Sequence, residues 1–504
     1  MTRVPGDRRS APYRVLQVGC GPTGTSVLRE LLPKLADVGV PVAYEVADPA
    51  VMGPGLAFST PCDLHLLNVR AGAMSLHSAD KGEFARWRAP RGLGVEDYPP
   101  RRLFGQYTRW VLDEVLRSAE TSGQSVRLTR ERVVEARHDG QGRWRCRFAS
   151  GRAAEYDRVV LALGHLPSAR YSRVEGGPRF LSDPWSGPRL PPTARVGVIG
   201  TRLTGVDVAL ALRERDHRGP VLLASRSGWL PSVKGSVESY RLAHLPGFVA
   251  EQQHVPGGTP LDAIAEVIGR EIEEAEGGPV RWMRALHPPP SSVEGLRAEL
   301  AEVSSNKVVG WQSVLAAVVP WVPALWRLLD EEGRDRLMTR YVGIWAVRIA
   351  SFPAVSARRL LAMMDEGRLA VRSGLCAVLP DGAGFRMCFG DGTALPVDVV
   401  VNATGPGYGR DSLEAVELTR NLLRSGAVVP HRFGGIPVDE RTFEALDADG
   451  AVIQGLHVVG DLTRGVWLAT NAVENSVRQA ANLATVVAAD LVSGSYKSRP
   501  GPGI

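Results

Sequence analysis

The chain has 504 residues, 44% hydrophobic and 23% charged, enough for two to four domains with sizeable cores. Its 55 Gly and 36 Pro exceed ordinary usage and point to many tight turns. The formal net charge is +6, yet only five of the 60 basic residues are Lys (34, 81, 234, 307 and 497). The Arg residues are spread along the whole chain, so no basic helix or arm marks a nucleic-acid partner.

No run approaches the ~20 uninterrupted apolar residues of a membrane span; the best candidate, Val314 to Trp326, is broken by Pro320 and Pro323. The N-terminus is charged without an apolar segment behind it, which speaks against a secretory signal and for a cytoplasmic protein without a membrane partner. Cys20, Cys62, Cys146, Cys376 and Cys388 include no CxxC pair, so they read as reduced core thiols rather than as a zinc site or a redox dithiol.

Residues 14–19 form a short apolar strand that runs into Gly19-Cys20-Gly21-Pro22-Thr23-Gly24 and then an amphipathic helix to about Leu35. A second strand, Val42 to Ala47, ends at Asp48. Gly19 permits the tight turn, Gly21 lets backbone approach a diphosphate, and Gly24 allows close helix–strand packing. The helix start offers free N–H groups and a positive dipole end, and Asp48 suits ribose hydroxyls. This is a dinucleotide-binding pattern. His65 and His77 flank Asn68 in the following loop, and are expected to be satisfied loop or core histidines rather than metal ligands.

A looser segment, Val159 to Gly164 and His165, precedes a second unit. There Arg195 to Ile199 leads into Gly200-Thr201-Arg202-Leu203-Thr204-Gly205, a helix, and a strand Val221 to Ala224 followed by Ser225 and Arg226. Arg202 occupies the place of the middle glycine, where it either blocks a cofactor or pairs with its phosphate. Ser225 and Arg226 replace the acid expected for NAD, and a guanidinium there suits the 2′-phosphate of NADP. Residues 236–368 change character and read as helices at 260–276, 293–304, 310–328, 331–349 and 356–366. They hold Trp311, Trp321, Trp326 and Trp345 in an apolar core or lid. Arg348 either recognises a carboxylate or pairs inside the bundle. The acidic run at 271–276 reads as a solvated helix face, and His287 to Pro290 as a connector. In the last third, Val397 to Gly405 is a buried strand with an Ala-Thr-Gly turn. Gly455 to Asp461 is a strand ending in Gly460-Asp461, followed by a helix from about Asn471 to Ala489. Asp461 can hold the ribityl or ribose hydroxyls of FAD, and that helix can aim its N-terminus at the flavin ring.

These motifs, with Gly55 to Ser59, His65 to Val69, Met74-Ser75, Asp183-Pro184-Trp185, Trp311-Gln312, Ala472 to Asn475 and Gln479-Ala480, cover about residues 14–490. With them the chain resembles the two-dinucleotide-binding-domain flavoproteins, the group of flavin-containing monooxygenases and amine N-hydroxylases, and more closely the FAD/NAD(P)-binding protein family. The resemblance implies an α/β fold of two Rossmann-like domains plus a helical insertion. The FAD domain is expected at 1–190 and 370–504, and the NAD(P) domain at 191–370 including the insertion 236–368. It implies bound FAD, NADPH as reductant, molecular oxygen, and N-hydroxylation of a small amine or amino acid. It places Asn68 near the isoalloxazine edge. One family mark departs: Phe180 and Trp185 are present, but Leu181 stands where a monooxygenase fingerprint has His. Two other readings stay open, a flavin oxidase or dehydrogenase that does not use NADPH and a non-catalytic FAD-binding pathway protein. No residue has a pattern specific enough for a catalytic role, and no metal site is expected.

Overall fold

The computed structural model describes residues 12–493, except 40, 94–96, 141, 186–189 and 305–307 and several positions within 170–178 and 280–290. The expected connector from His287 lies largely outside the described residues.

Strand β1 (Tyr13–Val18) is almost wholly buried, as expected of an apolar run covered on both faces. It pairs in parallel with β2 (Val42–Ala47), which pairs with β3 (Ser125–Thr129). The chain then makes a three-stranded antiparallel meander, β4 (Val133–His138), β5 (Trp144–Phe148) and β6 (Ala153–Tyr156), and returns to the other side of β1 as β7 (Arg158–Leu161). The same sequence of events follows. After β8 (Phe180–Leu181), β9 (Val196–Ile199) pairs with β10 (Val221–Ala224). The short pair β11 (Val233–Lys234) and β12 (Phe352–Pro353) brackets the helical insertion. Then come β13 (Leu369–Arg372) beside β10, a meander β14 (Leu375–Asp381), β15 (Gly384–Phe389) and β16 (Ala394–Val397), and β17 (Val399–Asn402) on the other side of β9. Strands β18 (Glu444–Leu446) and β19 (Val452–Val458) complete the first sheet, whose order is β18-β19-β7-β1-β2-β3; the second runs β13-β10-β9-β17-β8.

The two-unit α/β architecture is therefore present, but the expected boundary at residue 370 moves. Strands β13 to β17, expected in the FAD unit, build the second sheet, and the chain returns to the first only after residue 402. Local pattern could not show this, because a parallel strand's partner is set by a crossover, not by its own residues.

Each sheet has its own core. In the first, Val27, Leu28 and Leu31 of the helix Pro22–Val38 and Trp144, Cys146 and Phe148 of the meander share one cluster with the sheet. In the second, the helix Leu203–Glu214 and the helix Ala354–Asp365 pack on β9 and β10, and Phe385, Met387 and Phe389 of the other meander pack near Ile199 and Val400. The insertion forms a third cluster around Trp326, with Trp311, Trp321 and Trp345 packed against it. Its helices Leu261–Glu276 and Val293–Ser304 follow the expected spans. The expected helix 310–328 is interrupted by a 3₁₀ turn at Val319–Trp321, and 331–349 by a π turn at Leu337–Tyr341. The acidic run 271–276 is not all solvated. Glu271 is fully buried and accepts N–H bonds from Ala243 (3.1 Å), His244 (2.8 Å) and Leu245 (2.9 Å), together with the Tyr240 hydroxyl (3.0 Å). Arg348 pairs inside the bundle, donating to Ser232 Oγ at 2.7 Å and lying 3.6 Å from Glu299. Among the cysteines, Cys376 is exposed rather than a core thiol. Among the described residues no helix is long and apolar enough to cross a membrane.

The repeat extends to its fastenings. The Arg14 N–H donates to Asp157 at 2.7 Å, just before β7, and the Arg195 N–H donates to Asp398 at 2.8 Å, just before β17. The Arg195 guanidinium adds a contact at 2.7 Å and holds the Asp398 carboxyl down at about 2. Because that carboxyl is depressed in the folded state, its contribution is present above about pH 4 and is lost as pH falls towards about 2. The pair is largely exposed, so Asp398→Asn should lower the melting temperature at pH 7 by only about 1–3 °C. In melting curves recorded from pH 7 to pH 2, the gap between variant and parent should close between about pH 4 and pH 2.

Candidate functional site

In the first unit, β1 delivers the chain to Gly19 at φ 100°, a left-handed conformation natural to glycine. The Gly19 N–H donates to Ala47 O at 2.9 Å, and a Cβ here would lie 2.3 Å from Ala162 O. Turn and strand end thus touch through backbone alone. The helix Pro22–Val38 starts at Gly21 with proline in its first turn and no side-chain cap, so its leading N–H groups are not taken by a side chain. A Cβ on Gly21 would meet the Gly55 Cα at 3.4 Å, so two glycine backbones face each other beside the helix start. Asp48 is half-buried; its carboxylate accepts the Cys20 N–H and the Ala50 N–H, both at 2.8 Å, and thereby braces the turn.

The second unit repeats this. Gly200 has φ 129°, its N–H donates to Ala224 O at 2.8 Å, and a Cβ would lie 2.3 Å from Ala403 O. The helix Leu203–Glu214 likewise has no side-chain cap. Thr201 is buried, and its hydroxyl lies 2.9 Å from Ser225 Oγ and donates to Trp229 O at 2.7 Å; Ser225 also accepts the Gly228 N–H. Thr201 and Ser225 therefore shape the turn rather than project from it. Arg226 is exposed, with no side-chain hydrogen bond or ion pair given by any described residue. Arg202 is exposed as well; its guanidinium lies 3.4 Å from where a Cβ on Gly343 would stand, so it is drawn to the helix Val342–Ile349 of the insertion.

The C-terminal segment closes on the first turn. A Cβ on Gly460 would sit 3.0 Å from the Thr23 side chain, and the Gly460 N–H donates to Gln479 Oε1 at 2.7 Å. Asp461 is 5% exposed. It accepts from Thr470 Oγ1 at 3.1 Å and lies 3.3 Å from His165 Nε2. Burial, reinforced by the negative charge of Asp461, pushes the Tyr408 hydroxyl above its ordinary range, and the Arg464 guanidinium stacks 4.4 Å over the Tyr408 ring. Leu468 takes φ 57°, a strained conformation for a side-chain-bearing residue, just before Asn471 and the helix Val473–Ser493. Asn471 is exposed, while Asn475 is buried, donates to Ala469 O at 2.8 Å and leaves its Oδ1 without a hydrogen-bond partner among the described residues.

Gly19, Gly21, Thr23, Gly24, Asp48, Gly460 and Asp461 thus gather at one end of the first sheet, and Gly200, Thr201, Gly205, Ser225 and Arg226 at the corresponding end of the second. Two uncapped helix starts, glycine backbones facing them and an acid after β2 fit dinucleotides. Asn68 is half-buried; the segment that carries it starts at this end, where the Gly53 N–H donates to Cys20 O at 2.7 Å. His65, as expected, is a satisfied core histidine, with its ring nitrogens 2.7 Å from Thr60 Oγ1 and 2.9 Å from Asp207 O. Sequence reasoning missed His165, Tyr408, Arg464 and Gln479 as partners of the site. Gln479 had a signal among the family marks, and His165 closed the quoted strand segment; Tyr408 and Arg464 had none.

Residues 17–166 match the family model described as FAD-NAD(P)-binding. The chain is 33% identical over 168 residues to nitrosuccinic acid synthase npaA of Aspergillus oryzae, covering 30% of this chain and 26% of that protein. It is 28% identical over 202 residues to an L-aspartate N-monooxygenase (nitrosuccinate-forming) of Streptomyces davaonensis, covering 32% and 31%. The aligned part thus spans under a third of either relative. Over 413 residues it is 23% identical to the uncharacterized protein YdhS of Escherichia coli, covering 70% of this chain and 76% of that one. Among solved structures, the ornithine hydroxylase PvdA of Pseudomonas aeruginosa superposes with a TM-score of 0.51 at 14% identity, covering 95% of this chain and 100% of that one. The ornithine N-hydroxylase of Kutzneria sp. 744, solved with reduced FAD, NADP⁺ and L-ornithine, gives the same score and identity over 95% and 99%.

A Cβ on Gly24 would stand 2.3 Å from Gly19 O, and one on Gly205 2.2 Å from Gly200 O; neither backbone can yield without opening its turn. Gly24→Ala should therefore abolish the flavin absorbance of the purified protein. Gly205→Ala should keep that absorbance and lose only the response to a second nucleotide. Over residues 17–166 the chain matches the model of the FAD-NAD(P)-binding family, and its overall fold is similar to that of the ornithine hydroxylase PvdA.

Proposed function

We propose that the chain is an FAD-dependent monooxygenase that uses NADPH and molecular oxygen to N-hydroxylate a small amino acid in a biosynthetic pathway. The observation that carries this reading is the doubled glycine turn: two helix starts built alike in one chain, the first beside the Asn68 loop and the second beside Arg226. The partial alignment to an L-aspartate N-monooxygenase supports the choice of an amino acid.

When bound, FAD reduced by a hydride from NADPH would supply the chemistry, passing one atom of oxygen to the amine while the other leaves as water. The chain's own residues bind and shield. Backbone N–H groups at Gly21 and Thr23 would meet one diphosphate, and Arg226 the extra phosphate of NADPH. Asp48 would face ribose hydroxyls of FAD, and Asp461 its ribityl or ribose hydroxyls. The tryptophan-rich insertion would exclude water above the site, which favours transfer of oxygen to substrate over its loss as hydrogen peroxide. A flavin oxidase is the second reading, favoured by Arg202 at the usual middle-glycine position.

Anaerobic addition of NADPH to the purified yellow protein should bleach it rapidly, and NADH more slowly. No bleaching by either nucleotide overturns the reading in favour of an oxidase or a non-catalytic flavoprotein. Arg226→Ala should weaken NADPH about ten-fold and NADH little; equal effects remove its phosphate role. Arg202→Gly separates the two roles of that residue, because NADPH affinity falls if the guanidinium grips phosphate and rises if it obstructs.

A further inference from the structure

The loop that carries Asn68 belongs to the first sheet, yet it is gripped by the second unit. Arg101, at the start of the helix Arg101–Thr121, ties this loop together: its N–H donates to His65 O at 2.8 Å and its Nε to Leu66 O at 3.1 Å. The same guanidinium reaches across to the helix Leu203–Glu214 and pairs with Asp207 at 2.6 Å, with both side chains largely buried. The His65 ring, whose Nε2 lies 2.9 Å from the Asp207 carbonyl, is covered edge-on by Trp185 at 5.2 Å, which gives the Asp183-Pro184-Trp185 mark a place. Leu64 packs into the second unit's core. Two helical turns beyond Asp207, the Glu214 carboxylate meets the Cys62 thiol, so one face of the helix is occupied by one loop. Burial pushes the Asp207 carboxyl up against the pull of Arg101 and pushes His65 down.

We infer that Asp207 is a positioning residue that sets the register between the two nucleotide sites. It stands two residues past Gly205, in the helix whose start faces the second turn; its partner His65 stands three residues before Asn68. A buried ion pair is poor at adding stability, because desolvation offsets attraction, and its attraction repays that cost only when the two groups keep close to their native geometry. Hydride transfer needs donor and acceptor about 3–3.5 Å apart, and a misplacement of about 1 Å costs on the order of 100-fold in rate. A rigid contact within a few residues of both sites holds that distance. This inference rests on the proposed use of FAD in the first unit and NADPH in the second.

The test is anaerobic stopped-flow reduction of the full-length holoprotein by NADPH, beside hydrogen exchange. Asp207→Asn should retain FAD and be reduced by dithionite like the parent. Its limiting rate with NADPH should fall ten- to hundred-fold, while the half-saturating NADPH concentration changes less than threefold. Arg101→Lys, which keeps the charge, should retain much of the parent rate, whereas Arg101→Gln, which removes it, should lose rate as Asp207→Asn does and serves as the test variant if Asp207→Asn does not fold. Amide exchange should rise together in segments 60–68 and 203–214, with segment 473–493 unaffected. Unchanged exchange in the first two segments, or an equal loss of rate with dithionite and NADPH, overturns the inference. If the parent is not reduced by NADPH, the functional reading fails on its own, and the exchange data alone decide whether Asp207 holds the seam.

Discussion

The structure depends on one repeated close approach: a glycine turn at the end of a central strand lies against the carbonyl at the end of its neighbour. Gly19 meets Ala162 O and Gly200 meets Ala403 O, each at a distance that no Cβ could share. That contact fixes where each helix begins, and the helix start offers unpaired N–H groups to an anion. The strand bearing the carbonyl is delivered after a meander in both cases, and is fastened to the central strand by an Asp that accepts an Arg N–H. The two units are one construction used twice, down to these bonds.

The difference between them is at the turn's middle residue. Gly21 lets backbone face Gly55, whereas Arg202 turns its guanidinium to Gly343 on the insertion. The first turn is thus closed by backbone from its own unit and the second is edged by a side chain that answers to a third element. The insertion also reaches the first unit: Trp326 Nε1 donates to Gly465 O at 2.9 Å, in the strained segment that precedes Asn471. One helical layer therefore touches both units, beside Arg202 of the second turn and at Gly465 of the first unit.

How much of this could be read in advance follows the range of the interactions. The helix Val293–Ser304 was legible to the residue, because its period is local. The expected helix 310–328 was not, since Pro320 and Pro323 each lack the N–H a helix interior needs; the chain makes a 3₁₀ turn and restarts at Val322, where proline is tolerated in a first turn. Glu271 looked like part of a solvated acidic face, but the loop that buries it begins some thirty residues earlier, beyond the reach of helical periodicity.

By itself the sequence determined both glycine turns, the helices behind them, the acids at 48 and 461 and the basic residue at 226, because each depends on the conformational range of one residue or on a short spacing. Only the tertiary structure decided that β13 to β17 belong to the second sheet, that His165 and Tyr408 face Asp461, and that Arg101 pairs with Asp207. These are contacts between segments far apart in the chain, chosen by crossover topology and burial, and no local pattern encodes them.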